Sequence, residues 1–475
     1  MVFSSILFTF LFLPVTVVLY YLSKEKYRNY LLLAASLIFY AYGEPKFVIL
    51  MILSIIVNYL LALLIEKNGG PECKRRAKAL LVLDIVLNLA LLFVFKYLNF
   101  SIQLFDTVFK QSVPVTSLTL PIGISFFTFQ ALSYVVDVYR KDVPAQKNPF
   151  YVALYISFFP QLIAGPIVRY SSIEDQIVNR KTDLSGFSLG FKRFILGFIK
   201  KVLLANNLSV VVETVNGLDP VSANPAMLWL GSVCFALQLF YDFSGYSDMA
   251  IGLAGMFGFH IDENFNYPYI AKSFTDFWKR WHISLTRWFR DYVYFPLGGS
   301  RVSVPRNILN MLIVWFLTGM WHGASMNYIV WGLICFVLLV AERYIIKPSE
   351  RRSRFFSVFW RIVTLFCLDF MLVIFNVTSV SKGVKTCFAM CGGYHVPFEI
   401  SGELIRCLRE YGIFLLAGMI FATPVAKILD QRTDNMSSVK KIKAFAVPAV
   451  YLMMFIWAAS FLIVGSHNPF IYFNF

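Results

Sequence analysis

The apolar residues of this chain fall in blocks of about 15–25, separated by short basic stretches. A bilayer imposes that layout, because ~20 apolar residues of helix cross its ~30 Å core and satisfy every backbone polar group within the segment. A membrane β-strand would instead alternate in ~10-residue segments, and none of these blocks does. Composition agrees: 58% of the 475 residues are hydrophobic and only 15% charged, whereas a soluble domain is roughly 25% charged. The abundance of aromatic and branched aliphatic residues excludes disorder. The expected fold is all-α and polytopic. About eleven transmembrane helices are expected, near 3–22, 29–42, 46–66, 79–98, 119–139, 150–168, 187–205, 226–246, 357–379, 411–427 and 445–465, plus a re-entrant hairpin at 308–341.

The net charge of +16 would suggest nucleic acid in a soluble protein. Here it reports topology, since lysine and arginine collect in cytoplasmic loops. Of the 43 Lys and Arg, 36 lie in 23–28, 67–78, 140–148, 169–201, 260–307, 342–361 and 427–443. The opposite loops hold six: Lys46, Lys110, Lys382, Lys385, Arg406 and Arg409. Lys96 lies inside a span. Both termini are therefore expected outside, in a multi-pass protein surrounded by membrane lipid and without a nucleic-acid partner. Segment 2–22 has no basic n-region and no small-residue cleavage site, so it reads as a retained span. The seven cysteines form no CxxC pair and no zinc-spaced set with histidine, so no metal is expected. Cys387, Cys391 and Cys407 fall in one outer region, where they form either one disulfide or isolated apolar side chains. With no repeat, linker or hydropathy break, residues 1–475 read as one membrane domain.

Polar residues are costly in hydrocarbon, so the few beside apolar blocks carry information. One group is Ser273-Phe-Thr-Asp-Phe-Trp-Lys-Arg-Trp-His-Ile-Ser-Leu-Thr-Arg-Trp-Phe-Arg-Asp291. On a continuous helix, Phe274, Phe277, Trp278, Trp281, Leu285, Trp288 and Phe289 share one arc, while Lys279, Arg280, Arg287 and Arg290 share another. Such a helix lies along the cytoplasmic interface, with tryptophans at the bilayer boundary and cations towards water. His282 falls at the edge of the aromatic arc and points inward. The segment is either an interfacial anchor with a hydrogen-bonded histidine or a basic platform for a phosphate-bearing donor.

The second group is Trp315-Phe-Leu-Thr-Gly-Met-Trp-His-Gly-Ala-Ser-Met-Asn-Tyr328. Cytoplasmic charge flanks it on both sides (Arg301 and Arg306 before, Arg343 and Lys347 after), so the chain must enter the membrane and return. The spacing predicts helices of about 14 and 18 residues, with the Trp-His-Gly turn some 20 Å deep and Gly319 and Gly323 permitting it. At that depth desolvation keeps His322 neutral. A neutral buried imidazole is a good general base for a hydroxyl; the alternative is a structural histidine bonded to a carbonyl. Trp321 and Asn327 of the same motif, Gln130 of Leu120–Gln130 and Asp242 of Gln238–Asp248 are candidates to line a cavity. Packing kinks and helix caps are the other readings of the last two.

Phe277-Trp-Lys-Arg-Trp-His-Ile-Ser-Leu285, Trp288-Phe-Arg-Asp-Tyr-Val-Tyr-Phe-Pro-Leu-Gly-Gly299 and Thr318-Gly-Met-Trp-His-Gly-Ala324 resemble the membrane-bound O-acyltransferase (MBOAT) family. The likeness is to its bacterial branch that O-acetylates alginate and other exopolysaccharides, and it runs from end to end of the chain. It implies helices around two funnels that meet at His322, the presumed catalytic residue, with His282 as a second functional position. It also implies acyl transfer across the bacterial inner membrane, from acetyl-CoA as co-substrate with no bound cofactor, and a separate extracytoplasmic esterase-like partner that completes transfer to polysaccharide. Lys279, Arg280, Arg287 and Arg290 then suit the donor's phosphates.

The C-terminus, Asn468-Pro-Phe-Ile-Tyr-Phe-Asn-Phe475, is similar to the aromatic end of the accessory peptide of the teichoic-acid D-alanylation system. That likeness suggests Tyr472 as an acyl relay; an interfacial aromatic anchor is the alternative. D-alanyl or another acyl transfer from a carrier-protein thioester, and a polysaccharide transporter with a similar polar cavity, are the competing functions.

Overall fold

Helix is the only regular structure among the residues that the computed structural model describes, 1–348, 353–433, 437–465 and 471. In chain order these helices are α1 (Phe8–Leu22), α2 (Glu25–Gly43), α3 (Phe47–Lys67), α4 (Pro71–Phe109), α5 (Ile124–Arg140), α6 (Pro149–Ser157), α7 (Phe159–Leu162), α8 (Tyr170–Asn179), α9 (Leu184–Asn216) and α10 (Pro225–Met256). The short α11 (Phe274–Trp278) and α12 (Ile283–Phe289) follow, then α13 (Val304–His322), α14 (Met326–Ile346), α15 (Arg354–Asn376), α16 (Val380–Met390), α17 (Gly402–Phe421), α18 (Val425–Thr433) and α19 (Ser437–Ile463). Polar caps set several starts: Ser353, Ser379 and Ser401 accept the amides of Phe356, Lys382 and Leu404, satisfying donors that have no partner within the helix.

Among the described residues, seven helices are long and apolar enough to cross a membrane, or eight if α17 and α18, bent by 62°, form one span. The protein is a multi-pass membrane protein, and the described helices do not confirm the count of eleven spans. The clearest departure is 150–168. There α6 has nine residues, about 14 Å of helix, and α7 four. Pro160 and Gly165-Pro166 prevent continuation; a Cβ at Gly165 would lie 2.8 Å from the Pro160 carbonyl oxygen. The result is a buried, bent segment.

The helices fall into two compact units, with boundaries inside α9 and α10. The first comprises Met1–Phe194 and Met249–Asp262. It packs Phe3, Phe8, Phe12, Phe39 and Phe159 ring against ring, and the Tyr20 hydroxyl donates to the Phe257 carbonyl at 2.8 Å. The second comprises Ile195–Asp248 and Glu263–Phe475. Its core draws buried side chains from α10, the interfacial segment, the 304–346 hairpin and α15.

The hairpin is antiparallel, with arms longer and shorter than the spacing predicts. The first has nineteen residues, about 28 Å, and the second sixteen before it becomes a π-turn at Glu342–Ile346. Gly319 sits inside the first arm and lets the arms touch. A Cβ there would stand 2.6 Å from the Tyr328 carbonyl oxygen, and one on Gly332 would stand 2.5 Å from that of Trp315. The turn itself is Gly323–Ser325, with Gly323 in extended backbone. All seven cysteines are free thiols.

Candidate active site

A narrow cavity lies within the second unit, walled by Phe243, Trp278, Trp331 and Phe375 among other apolar side chains. His322 is the one ionisable residue in its lining among the described residues. It ends α13 and is 8% exposed. Its ring meets Trp331 at 5.0 Å, Trp321 at 5.1 Å and Phe375 at 5.2 Å, each within about 15° of perpendicular. In these edge-to-face contacts the electron-poor ring edge meets an electron-rich face, and three of them hold the imidazole from different sides. Asn327, two residues past the turn, gives its amide to the carbonyls of Phe375 and Val377. That pins the return arm to α15 beside His322.

His282 reaches the same place differently. Residues 273–291 are two short helices rather than one, because His282 adopts left-handed backbone at φ 44°, where no helix of L-residues continues. The backbone groups freed at the break pair with the preceding loop: Ile283 donates to the Asn264 carbonyl and Asn266 to that of Arg280. The aromatic arc expected at the bilayer boundary instead packs into the protein, with Trp278 of that arc only partly buried. Phe274, Phe277, Trp281, Leu285, Trp288 and Phe289 are all at most 7% exposed, as is His282 at 2%. Its ring packs 4.5 Å from Phe243, itself in the cavity wall, and 5.7 Å from Trp321. Trp321 therefore touches both imidazoles, and the two histidines share one site. Burial holds the His282 imidazole well below its ordinary value, and the nearby His322 adds to the effect.

The profile of the membrane-bound O-acyltransferase family matches residues 79–381, a stretch that takes in both histidine motifs. The chain belongs to this family. It is 45% identical over 347 residues to the probable alginate O-acetylase AlgI of Pseudomonas aeruginosa, covering 72% of this chain and 66% of the relative. The AlgI of Pseudomonas putida is 37% identical with both chains covered throughout. The peptidoglycan O-acetyltransferase of Helicobacter pylori is 31% identical over all of this chain and 98% of its own. This MBOAT protein is thus an integral-membrane O-acyltransferase with its likeness in the alginate O-acetylase branch.

The remaining candidates in this MBOAT chain fall in different places. Lys279 and Arg290 are exposed, while Arg280 and Arg287 are partly buried. Arg280 is paired with Asp276 and Arg290 with Asp291, both at 2.8 Å. Gln130 belongs to the first unit, fully buried in α5, and is not among the residues that line the cavity. Asp242 is 1% exposed and faces Lys201 at 2.7 Å, inside α10 rather than at a helix end. Its second oxygen accepts the amide of Ile471, which is buried. Tyr472 lies outside the described residues.

Three residues of the site carry no signal in the MBOAT motifs quoted from the sequence. Asn264, in an irregular loop, bonds His282 and Ser284. Lys201 follows Lys200 in α9 and reads there as one more cytoplasmic cation. Glu342 reads as cytoplasmic flank, yet it is 3% exposed and accepts the amides of Phe274 and Thr275 and the indole N–H of Trp360. Each of these three depends on a partner far away in sequence, which no local spacing encodes.

Proposed function

We propose that the protein moves an acetyl group from a cytoplasmic thioester, most simply acetyl-CoA, to a hydroxyl outside the membrane, for O-acetylation of alginate or a related exopolysaccharide. The observation that carries this reading is an apolar cavity in whose lining His322 is the one ionisable side chain among the described residues, in a chain aligned end to end with a probable alginate O-acetylase. A neutral imidazole there takes the proton of the attacking hydroxyl as its oxygen bonds to the acetyl carbonyl carbon. Collapse of the adduct breaks the C–S bond, and the departing thiolate takes up a proton. Lys279, Arg280, Arg287 and Arg290 offer charge to the donor's phosphates.

In this reading Tyr472 accepts the acetyl group before it passes outward, because phenoxide, with a conjugate-acid pKa near ~10, is a better leaving group than alkoxide. The anchoring of Ile471 on Asp242 supports a tail seated in the second unit. An extracytoplasmic esterase-like protein then completes transfer to polymer. The protein lies in the inner membrane with both termini outside, as the bias of 36 of 43 basic residues supports.

The test is to incubate purified protein with labelled acetyl-CoA and an acceptor. Label should leave CoA in the parent and stay on it in His322→Ala. Label supplied only by a carrier-protein thioester would favour the D-alanyl-type alternative, and polymer export that survives His322→Ala would favour a transporter. Tyr472→Phe acetylating polymer like the parent would remove the relay. An impermeant maleimide should label the exposed Cys391 in spheroplasts; its protection there would reverse the topology.

A further inference from the structure

The loop between α10 and α11 carries an asparagine whose side-chain amide and backbone carbonyl are directed at the His282 segment and at the helix beneath it. Asn264 is 0% exposed. Its Oδ1 lies 3.1 Å from the Ser284 backbone nitrogen, 2.9 Å from Ser284 Oγ and 3.2 Å from His282 Nδ1. Its Nδ2 donates to Ser247 Oγ of α10 at 3.1 Å, and its backbone carbonyl accepts the Ile283 amide at 2.9 Å. The backbone N–H of Ser284 can only donate, so the atom facing it is the oxygen and not the amide nitrogen. An oxygen at hydrogen-bond distance from a ring nitrogen requires that nitrogen to hold the proton.

We infer that Asn264 is a positioning residue that fixes His282 as the Nδ1–H tautomer and leaves Nε2 as a proton acceptor. Nε2 is buried and without a hydrogen-bond partner among the described residues. It lies across the ring from Asn264, in the surroundings formed by Phe243 of α10 and Trp321 of the hairpin. The titratable group acting on His282 from those elements is His322. Burial keeps the imidazole neutral, so which nitrogen carries its one proton decides what the ring can do. A free imidazole in water favours the Nε2–H form, which would offer a donor here instead. Asn264 also steadies the left-handed backbone of His282, since it bonds the two residues that follow.

This inference concerns the acyl-transfer site proposed above, but its first test needs no substrate. The full chain, with ¹⁵N-labelled histidine, is reconstituted in lipid nanodiscs; the His282 signals are those that vanish in His282→Asn. In the parent they should report a neutral ring protonated at Nδ1. In Asn264→Ala they should report a mixture with the Nε2–H form. Asn264→Asp keeps an acceptor for Ser284 and preserves the loop should Asn264→Ala fail to fold. Its carboxylate favours imidazolium, so the acid limb of kcat/KM, with labelled acetyl-CoA as donor, should move up by about one to two pH units. Ser247→Ala, which leaves Oδ1 in place, should keep the tautomer and the limb. An unchanged His282 tautomer in Asn264→Ala, or Nε2–H in the parent, overturns the assignment whatever the donor proves to be. Loss of activity without either spectral or pH change reduces Asn264 to a structural residue.

Discussion

His322 closes a regular helix of nineteen residues and is gripped by three rings, Trp321, Trp331 and Phe375. His282 interrupts a helix at φ 44° and is gripped through hydrogen bonds by a loop residue, Asn264. Rings fix where an imidazole sits but do not choose which nitrogen is protonated, whereas an amide oxygen does choose. In this site rings pack around one histidine at the turn of a hairpin, while a loop amide fixes the orientation of its neighbour. The second arrangement costs backbone strain of roughly 1–3 kcal/mol, offset by the converging bonds from Asn264 and Ser284.

The comparison can be broken most severely at His322. His322→Ala sits in helical backbone that alanine favours, so the protein should fold while label transfer falls by about 10²–10⁴-fold; a loss under tenfold would mean another group takes the proton. His282→Asn comes next. Asparagine tolerates the left-handed backbone, so melting should stay near the parent while transfer falls about a hundredfold. His282→Ala should lose the same activity and an additional ~1 kcal/mol of stability, and equal melting of the two variants would remove the strain argument.

Gly319→Ala tests the packed histidine alone. Its methyl would press on the Tyr328 carbonyl, so the arms must separate, lowering stability by about 1–3 kcal/mol and displacing His322. Transfer should drop with both acyl and acceptor concentrations saturating. Glu342→Gln acts on the other side. It keeps one acceptor and loses another against the amides of Phe274 and Thr275, at about 1–3 kcal/mol in melting measurements. Smallest is Lys279→Gln at the exposed platform. It should raise KM for acetyl-CoA by a factor of a few, within ~1 kcal/mol, and the difference should shrink in high salt.

Much of the fold was legible because a bilayer leaves a chain few choices. The apolar blocks around 46–66, 226–246 and 357–379 all lie in helices long enough to cross. The hairpin was legible from charge on both flanks, and His322 from its isolation among apolar neighbours. Segment 150–168 misled because hydropathy counts apolar residues and not backbone continuity, which Pro160 and Gly165-Pro166 break. The single wheel drawn for 273–291 failed for a related reason. A left-handed residue in the middle is stable only because Asn264 and Asn266 pair with the exposed backbone, and those partners lie outside the segment.

The sequence by itself determined that this is a helical membrane protein of the O-acyltransferase family, since hydrophobic block length, charge asymmetry and two tryptophan–histidine motifs are local properties of a chain. Only the tertiary structure decided that the two histidines meet around Trp321, that the Asp242 carboxylate belongs to Lys201 and Ile471, and that an asparagine eighteen residues before His282 orients its ring. Those outcomes are set by which distant groups are brought within about 3 Å of one another, and a hydrogen bond depends on position in space rather than on separation along the chain.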